Sequence, residues 1–235
     1  MVRLALLLGL AALAPAAAQA SGPAPYEARY EVLRNGSVLG EAQVTLRQTG
    51  SDTWELSSHT RGTQGLAAVA GADITERSTF RWSGRGPETT GYRYTQKVAF
   101  NSRERSLEVD PAAGRIVSRD RRDEHVLPYT QGVLDRQIVP VALARDLAAG
   151  RQEVEYPVAD RREVETQRFR ATGSERVEVP AGSVDATRVE RVRDPGAGRS
   201  TTIWLDPARD YLPVRSVQRE RDGETIEMRL VGVER

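Results

Sequence analysis

Residues 26–46 read YEARYEVLRNGSVLGEAQVTL, two alternating runs hinged on a single Asn-Gly. Tyr26, Ala28, Tyr30 and Val32 share one face, and Glu27, Arg29 and Glu31 the other. A period of two is the signature of a half-buried strand. Asn35-Gly36 tolerates positive φ and so predicts a hairpin turn. The second run puts Val38, Gly40, Ala42, Val44 and Leu46 on one side. This pair is the opening of an antiparallel meander with one wet face.

The same pattern continues along the chain. Strands are predicted over Thr53–Thr60, Asp73–Trp82, Tyr92–Val98 and Ser106–Val109, with a brief one from Ile116. GTQGLAAVAG, residues 62–71, interrupts them as a short helix or a wide loop. Gly84-Arg85-Gly86-Pro87 and Pro111–Gly114 read as turns, and RDRRDEH, Arg119–His125, as a solvated loop or sheet edge. One main helix is predicted, over roughly Leu134–Ala149. Its regular part begins near Val139 or Pro140, because proline suits only a first turn. Strands then resume over Arg151–Val158, Glu163–Ala171, Val177–Val179, Val184–Val192, Thr201–Leu205, Leu212–Gln218 and Thr225–Val233. Pro180–Gly182, Asp194–Gly198 and Asp222-Gly223 are predicted turns. About a dozen strands and one helix predict a mostly β fold. One large curved antiparallel sheet packed around the helix satisfies the pattern, as do a complete barrel or two stacked sheets.

The first twenty residues are of another kind. MVRLALLLGLAALAPAAAQA carries Arg3, an apolar run from Leu4 to Leu13, and Ala18-Gln19-Ala20 as a small-x-small site. That is the pattern of a secretory signal peptide, too short for a transmembrane anchor. It predicts export, a short leader over 21–25 and a single β-rich domain over 26–235. The chain has no cysteine, which excludes disulfides, thiolate catalysis, cysteine-ligated metal and a lipidated cysteine, so the exported protein is expected to be soluble. No second apolar stretch is long enough to span a bilayer. The 34 basic and 33 acidic residues nearly balance, and Lys97 is the only lysine. That charge gives nucleic-acid binding no support.

Motifs for chemistry are missing. The two histidines, His59 and His125, read as surface residues, and neither a zinc pair nor Gly-x-Ser-x-Gly is present. No metal or cofactor is expected. Asp206 and Asp210 flank the turn in WLDPARDYLPV. They read, with Pro213, as structural turn residues rather than an acid–base pair. Trp54, Phe80, Trp82, Tyr92, Leu143, Leu147 and Trp204 are the apolar groups expected to line a cavity between sheet and helix.

These residues carry a resemblance to the DUF3108 family of exported bacterial proteins. It runs through Tyr30, Gly36–Gly40, Phe80, Tyr92–Gln96, Asp135, Leu143, Arg145 and Leu147. It is densest at Val179-Pro180-Ala181-Gly182, Trp204-Leu205-Asp206 and Leu212-Pro213-Val214, and ends at Leu230. The family's Asp-x-x-Ser approach to the helix reads Asp135-Arg136-Gln137-Ile138 here. The resemblance implies a periplasmic, non-enzymatic protein with a fold similar to the outer-membrane lipoprotein carriers. A protein binding a lipid or acyl ligand in the cell envelope is the favoured expectation. A structural or partner-binding envelope protein is the alternative, and an uncharacterised enzyme the third.

Overall fold

The computed structural model describes residues 22–193 and 198–235. The predicted signal peptide with its cleavage site, and Asp194–Ala197 of the predicted turn, lie outside the described residues. The first half contains β1 (Tyr26–Arg34), β2 (Ser37–Gln48), β3 (Thr53–Gly62), the short α1 (Gly65–Val69), β4 (Asp73–Ser83), β5 (Gly86–Val98), β6 (Asn101–Asp110), β7 (Arg115–Asp120) and β8 (Asp123–Pro128). The main helix, α2 (Val139–Ala148), comes next. Then follow β9 (Glu153–Ala159), β10 (Val164–Val179), β11 (Gly182–Val192), β12 (Ser200–Asp206), β13 (Leu212–Arg219) and β14 (Thr225–Glu234).

All fourteen strands form one antiparallel sheet, ordered β8-β7-β6-β5-β4-β3-β2-β1-β14-β13-β12-β11-β10-β9. The first and last strands lie side by side in the middle, and β8 and β9 are the two edges. The sheet is strongly curled, and α2 shows why it must be. The helix packs against β5, β9 and β13. On a flat sheet β5 and β9 would stand ten strand spacings apart, about 48 Å. The helix has ten residues and is about 15 Å long, so only a half-barrel wrapped around it meets both strands.

The edges approach each other without pairing. The segment between β8 and α2 bridges the gap instead. Leu134 N donates to Pro157 O and Ala159 N donates to Leu134 O, both at 2.8 Å, an isolated parallel bridge on the free side of β9. One residue earlier, Val133 O accepts from Thr89 N at 2.9 Å. That donor is available because β6 pairs with β5 only from Gly91 onward. Ala159 and Val164 complete the closure by packing with Tyr92, Leu107, Ile116 and Leu127.

Local differences from the sequence expectation have simple causes. Glu163–Ala171 and Val177–Val179 belong to the single sixteen-residue β10, because a bulge between Ala171 and Gly173 absorbs the irregular stretch. Gly86 starts β5 rather than closing a four-residue turn. The charged run Arg119–His125 is the β7–β8 hairpin, with β8 as an edge strand. Charge on an edge strand discourages pairing with another chain. In α2, Pro140 occupies the first turn, where its missing N–H leaves no gap. Val139, Val141, Ala142, Leu143 and Leu147 bury the helix face against Phe80, Leu205 and Phe169.

A close backbone approach fixes the β2–β3 pair. Gly40 faces Gly62 across it, and a Cβ on Gly40 would fall 2.0 Å from the Arg61 carbonyl oxygen. Gly40→Ala is expected to destabilise the protein by about 1–3 kcal/mol, read as a lower urea midpoint with an unchanged slope.

Candidate functional site

A cavity of about 1100 Å³ lies between α2 and the sheet. Val44, Leu46, Leu56, Phe169 and Ile203 form its apolar wall, faced by Val141 and Ala144 of the helix. Its charged lining is mostly basic: ten arginines against three carboxylates, Glu76, Asp160 and Asp210, with Arg145, Arg191, Arg199 and Arg215 paired to carboxylates outside it. The arrangement is amphipathic, with room for an apolar body and donors for an anionic group.

Of the seven residues expected along the wall, Trp82 lines the cavity. Its indole Nε1 is buried with no hydrogen-bond partner among the described residues. The other six are packed elsewhere, because large side chains gain most where every side is in contact. Trp54, Phe80, Leu143 and Leu147 fill the core under α2. Tyr92 joins the closure cluster, and its hydroxyl donates to Glu76 Oε2 at 2.9 Å. Trp204 sits in a separate core with Leu212 and Val214, donates to Glu175 at 2.9 Å, and carries Arg215 over its ring at 4.7 Å. The leader is drawn in as well. Gly22 lies so close to Trp54 that a Cβ would fall 2.5 Å from Cζ2.

The turn residues do structural work. Asp206 accepts from Ala208 N at 2.9 Å and Arg209 Nη1 at 2.6 Å, capping the short 3-10 turn Pro207–Arg209. Asp210 has a left-handed backbone, φ 51°, and pairs with Arg235. Pro213 is the second residue of β13, and its carbonyl accepts from the Tyr30 hydroxyl at 2.8 Å. His59 pairs with Asp73 at 2.8 Å on the half-exposed side of β3.

Sequence reasoning passed over the polar groups on the cavity side. Register places Ser58, Glu76, Tyr94, Arg105 and Asp120 in one row across β3 to β7. Arg136, from the bridging segment, covers this row. It donates to Glu76 Oε1 at 2.9 Å and lies over the rings of Tyr94 and Tyr92 at 5.0 and 5.9 Å. A signal was present in the sequence. Ser78 shares a period-two face with Phe80, and Arg105 shares one with Leu107 and Val109. Polar residues on an apolar face mark a specialised interior.

Beside this row sits a sealed carboxyl. Asp135 is fully buried. It accepts from Ser78 Oγ at 2.8 Å, Thr89 Oγ1 at 3.0 Å and Gln137 N at 2.8 Å, and its own N–H donates to Thr89 Oγ1 at 2.7 Å. Burial pushes its pKa up to about 6 against the pull of those donors. Ser78 Oγ also lies 2.7 Å from Gln137 Oε1. A hydroxyl has one hydrogen to give, so Ser78 can serve the Asp135 carboxyl or the Gln137 carbonyl oxygen, but not both at once.

One family model matches the chain across this fold. The match is to "Protein of unknown function (DUF3108)" and covers residues 25–231. The chain belongs to the DUF3108 family. No curated protein matches it. Among solved structures, a β-barrel-like protein of the domain of unknown function DUF1849 from Brucella abortus superposes with a TM-score of 0.57. Identity is 12%, covering 92% of this chain and 99% of that one, so the fold is what the two share. A putative outer membrane lipoprotein-sorting protein domain from Vibrio parahaemolyticus is matched as well, with a TM-score of 0.27. It has 12% identity over 89% of this chain and 84% of that one.

In this DUF3108 protein the Asp135 carboxyl has a measurable consequence. Its native pKa lies near 6 and its ordinary value is 3.8, so between them the native state binds more protons than the unfolded chain. The stability it contributes is complete below the unfolded value and lost as pH rises through about 6. Relative to Asp135→Asn, the wild type is expected to gain on the order of 2 kcal/mol between pH 7 and pH 4. Urea midpoints of both proteins across that range check it; parallel curves would refute it.

Proposed function

We propose that this protein is a non-catalytic binding protein of the bacterial cell envelope, exported to the periplasm, whose cavity holds a hydrophobic or lipid-like ligand. The observation that carries this reading is the cavity itself. At about 1100 Å³, between an apolar helix face and an apolar sheet wall, it slightly exceeds the usual range of small-molecule sites, roughly 300–1,000 Å³. The signal-peptide pattern of residues 1–20 supports export. No helix among the described residues is long and apolar enough to cross a membrane. Binding is favoured over catalysis because Asp135, whose shift most resembles that of a catalytic acid, is closed off by Ser78, Thr89 and Gln137.

A second reading, a protein that docks an envelope protein partner, draws on a different feature. Leu66 and Val69 of α1 and Phe100 in the β5–β6 turn are 85%, 86% and 104% exposed. Ala99 N donates to Ala70 O at 2.6 Å and joins the two loops. Three large apolar side chains on adjoining loops form a patch of the kind that meets a partner.

Native mass spectrometry of the mature protein purified from the periplasm, followed by lipid extraction, separates the two. The carrier reading expects an acyl species at defined stoichiometry. A clean apo mass, with no uptake on lipid titration, sinks it in favour of docking. Ala144→Trp places an indole inside the cavity, and is expected to weaken lipid uptake at least about tenfold with little change in melting temperature.

A further inference from the structure

One end of the cavity has a surplus of positive charge that its own carboxylates do not discharge. Arg103, near the start of β6, donates to both oxygens of Asp120, at 3.0 and 2.6 Å. That fork occupies the carboxylate. Arg105, two residues on, and Arg161, in the β9–β10 connection from the opposite edge of the sheet, reach Asp120 at 3.6 Å, as charge contacts longer than hydrogen bonds. Arg105 and Arg161 line the cavity, whereas Arg103 and Asp120 do not. The two guanidinium groups thus face the cavity while their nearest countercharge is engaged elsewhere.

The surroundings hold these groups in place. Arg105 lies over the Tyr94 ring at 5.4 Å, and Arg136 over the same ring at 5.0 Å. Arg136 is paired with Glu76 and contributes donors without adding surplus charge. Asp160 is the remaining carboxylate on this part of the wall. The Arg105 side chain is 16% exposed, and burial followed by the proximity of Arg103 depresses its pKa, as expected of a cation without an adequate counter-ion. The apolar wall of Leu46, Leu56 and Val141 belongs to the same cavity.

We propose that Arg105 and Arg161, with Arg136 beside them, hold the oxyanion head, a phosphate or a carboxylate, of an amphiphile whose apolar part lies between α2 and the sheet. This rests on the reading of the cavity as a lipid site and adds the charge of the ligand and the end at which its head lies. Arginine suits the task because its planar fork matches an oxyanion with two parallel hydrogen bonds.

Three probes titrated into the mature protein test it: oleoyl lysophosphatidate below its micelle concentration, uncharged monooleoylglycerol with the same chain, and inorganic phosphate. Lysophosphatidate is expected to bind at least about tenfold tighter than monooleoylglycerol. Arg161→Gln and Arg105→Gln are each expected to weaken lysophosphatidate about tenfold and leave monooleoylglycerol unchanged. Asp120→Asn, which removes the shared carboxylate, is expected to tighten lysophosphatidate, a gain that general structural damage would not produce. Equal binding of the two lipids, indifferent to the arginine substitutions, overturns the head site and leaves the lipid cavity standing. Failure of both lipids to bind overturns the cavity reading and the head site together. Inorganic phosphate binding as tightly as lysophosphatidate, and lost in Arg161→Gln, overturns the amphiphile in favour of a free oxyanion.

Discussion

Three backbone hydrogen bonds, two between Leu134 and β9 and one from Thr89 to Val133, hold a segment of chain across the mouth of an unclosed sheet. The remainder of the interior is arranged around that bridge. It brings Asp135 against Ser78 and Thr89, aims Arg136 at Glu76, and delivers Pro140 to the point where α2 begins. A fully paired barrel would have no need of such a segment and would leave the helix without a fixed entry. The gap between β8 and β9 is thus what admits a helix to the interior.

The interior is divided by chemistry. Under α2 the packing is dry and close, with Phe80, Leu143 and Leu205 at or near zero exposure. Along the row from Ser58 to Asp120 the same sheet face turns polar: Glu76 accepts from Tyr92, Asp120 is held by the Arg103 fork, and Arg105 lies over Tyr94 with its Nε unpartnered among the described residues. Polar groups in a low-dielectric interior are costly unless paired, so the row is tolerated because it is interlocked. Arginine rather than lysine fills these places, consistent with its weaker hydration and its capacity to stack on Tyr92, Tyr94 and Trp204.

Much of the fold could be read from the sequence, and the reasons are local. Alternation and Asn-Gly or Asp-Gly turns identify hairpins within a few residues, so the meander from Tyr26 onward and the closing strands are visible directly. Pro140 and Gly150 bracket the helix. The edge strand β8 was legible only as one of two readings, because the charge that protects an edge also resembles a loop, and β10 looked like two strands because its bulge breaks the period at Thr172. The cavity was legible only in outline. Aromatic residues were expected along it, yet Trp54, Phe80 and Trp204 are core, since ring size alone does not say whether the opposite side is filled. Arg105 and Asp120 are cross-strand neighbours in the β6–β7 hairpin, but Arg161 comes from the β9–β10 connection, and only the curl of the sheet brings it to them.

The pairing of β1 with β14 sets Glu27 opposite Glu234. The strand made first therefore waits for the strand made last. Local hairpins from β1 to β8 form early, since their contacts are short in sequence, but the edge of β1 stays open until the C-terminus arrives. Loop closure over nearly the full length of the chain makes that final docking the slow step. During it, an unpaired central strand with Ala28, Tyr30 and Leu33 uncovered is the surface most prone to associate with a neighbour. The same topology that leaves the folded molecule with only two edges gives the folding chain a long-lived third.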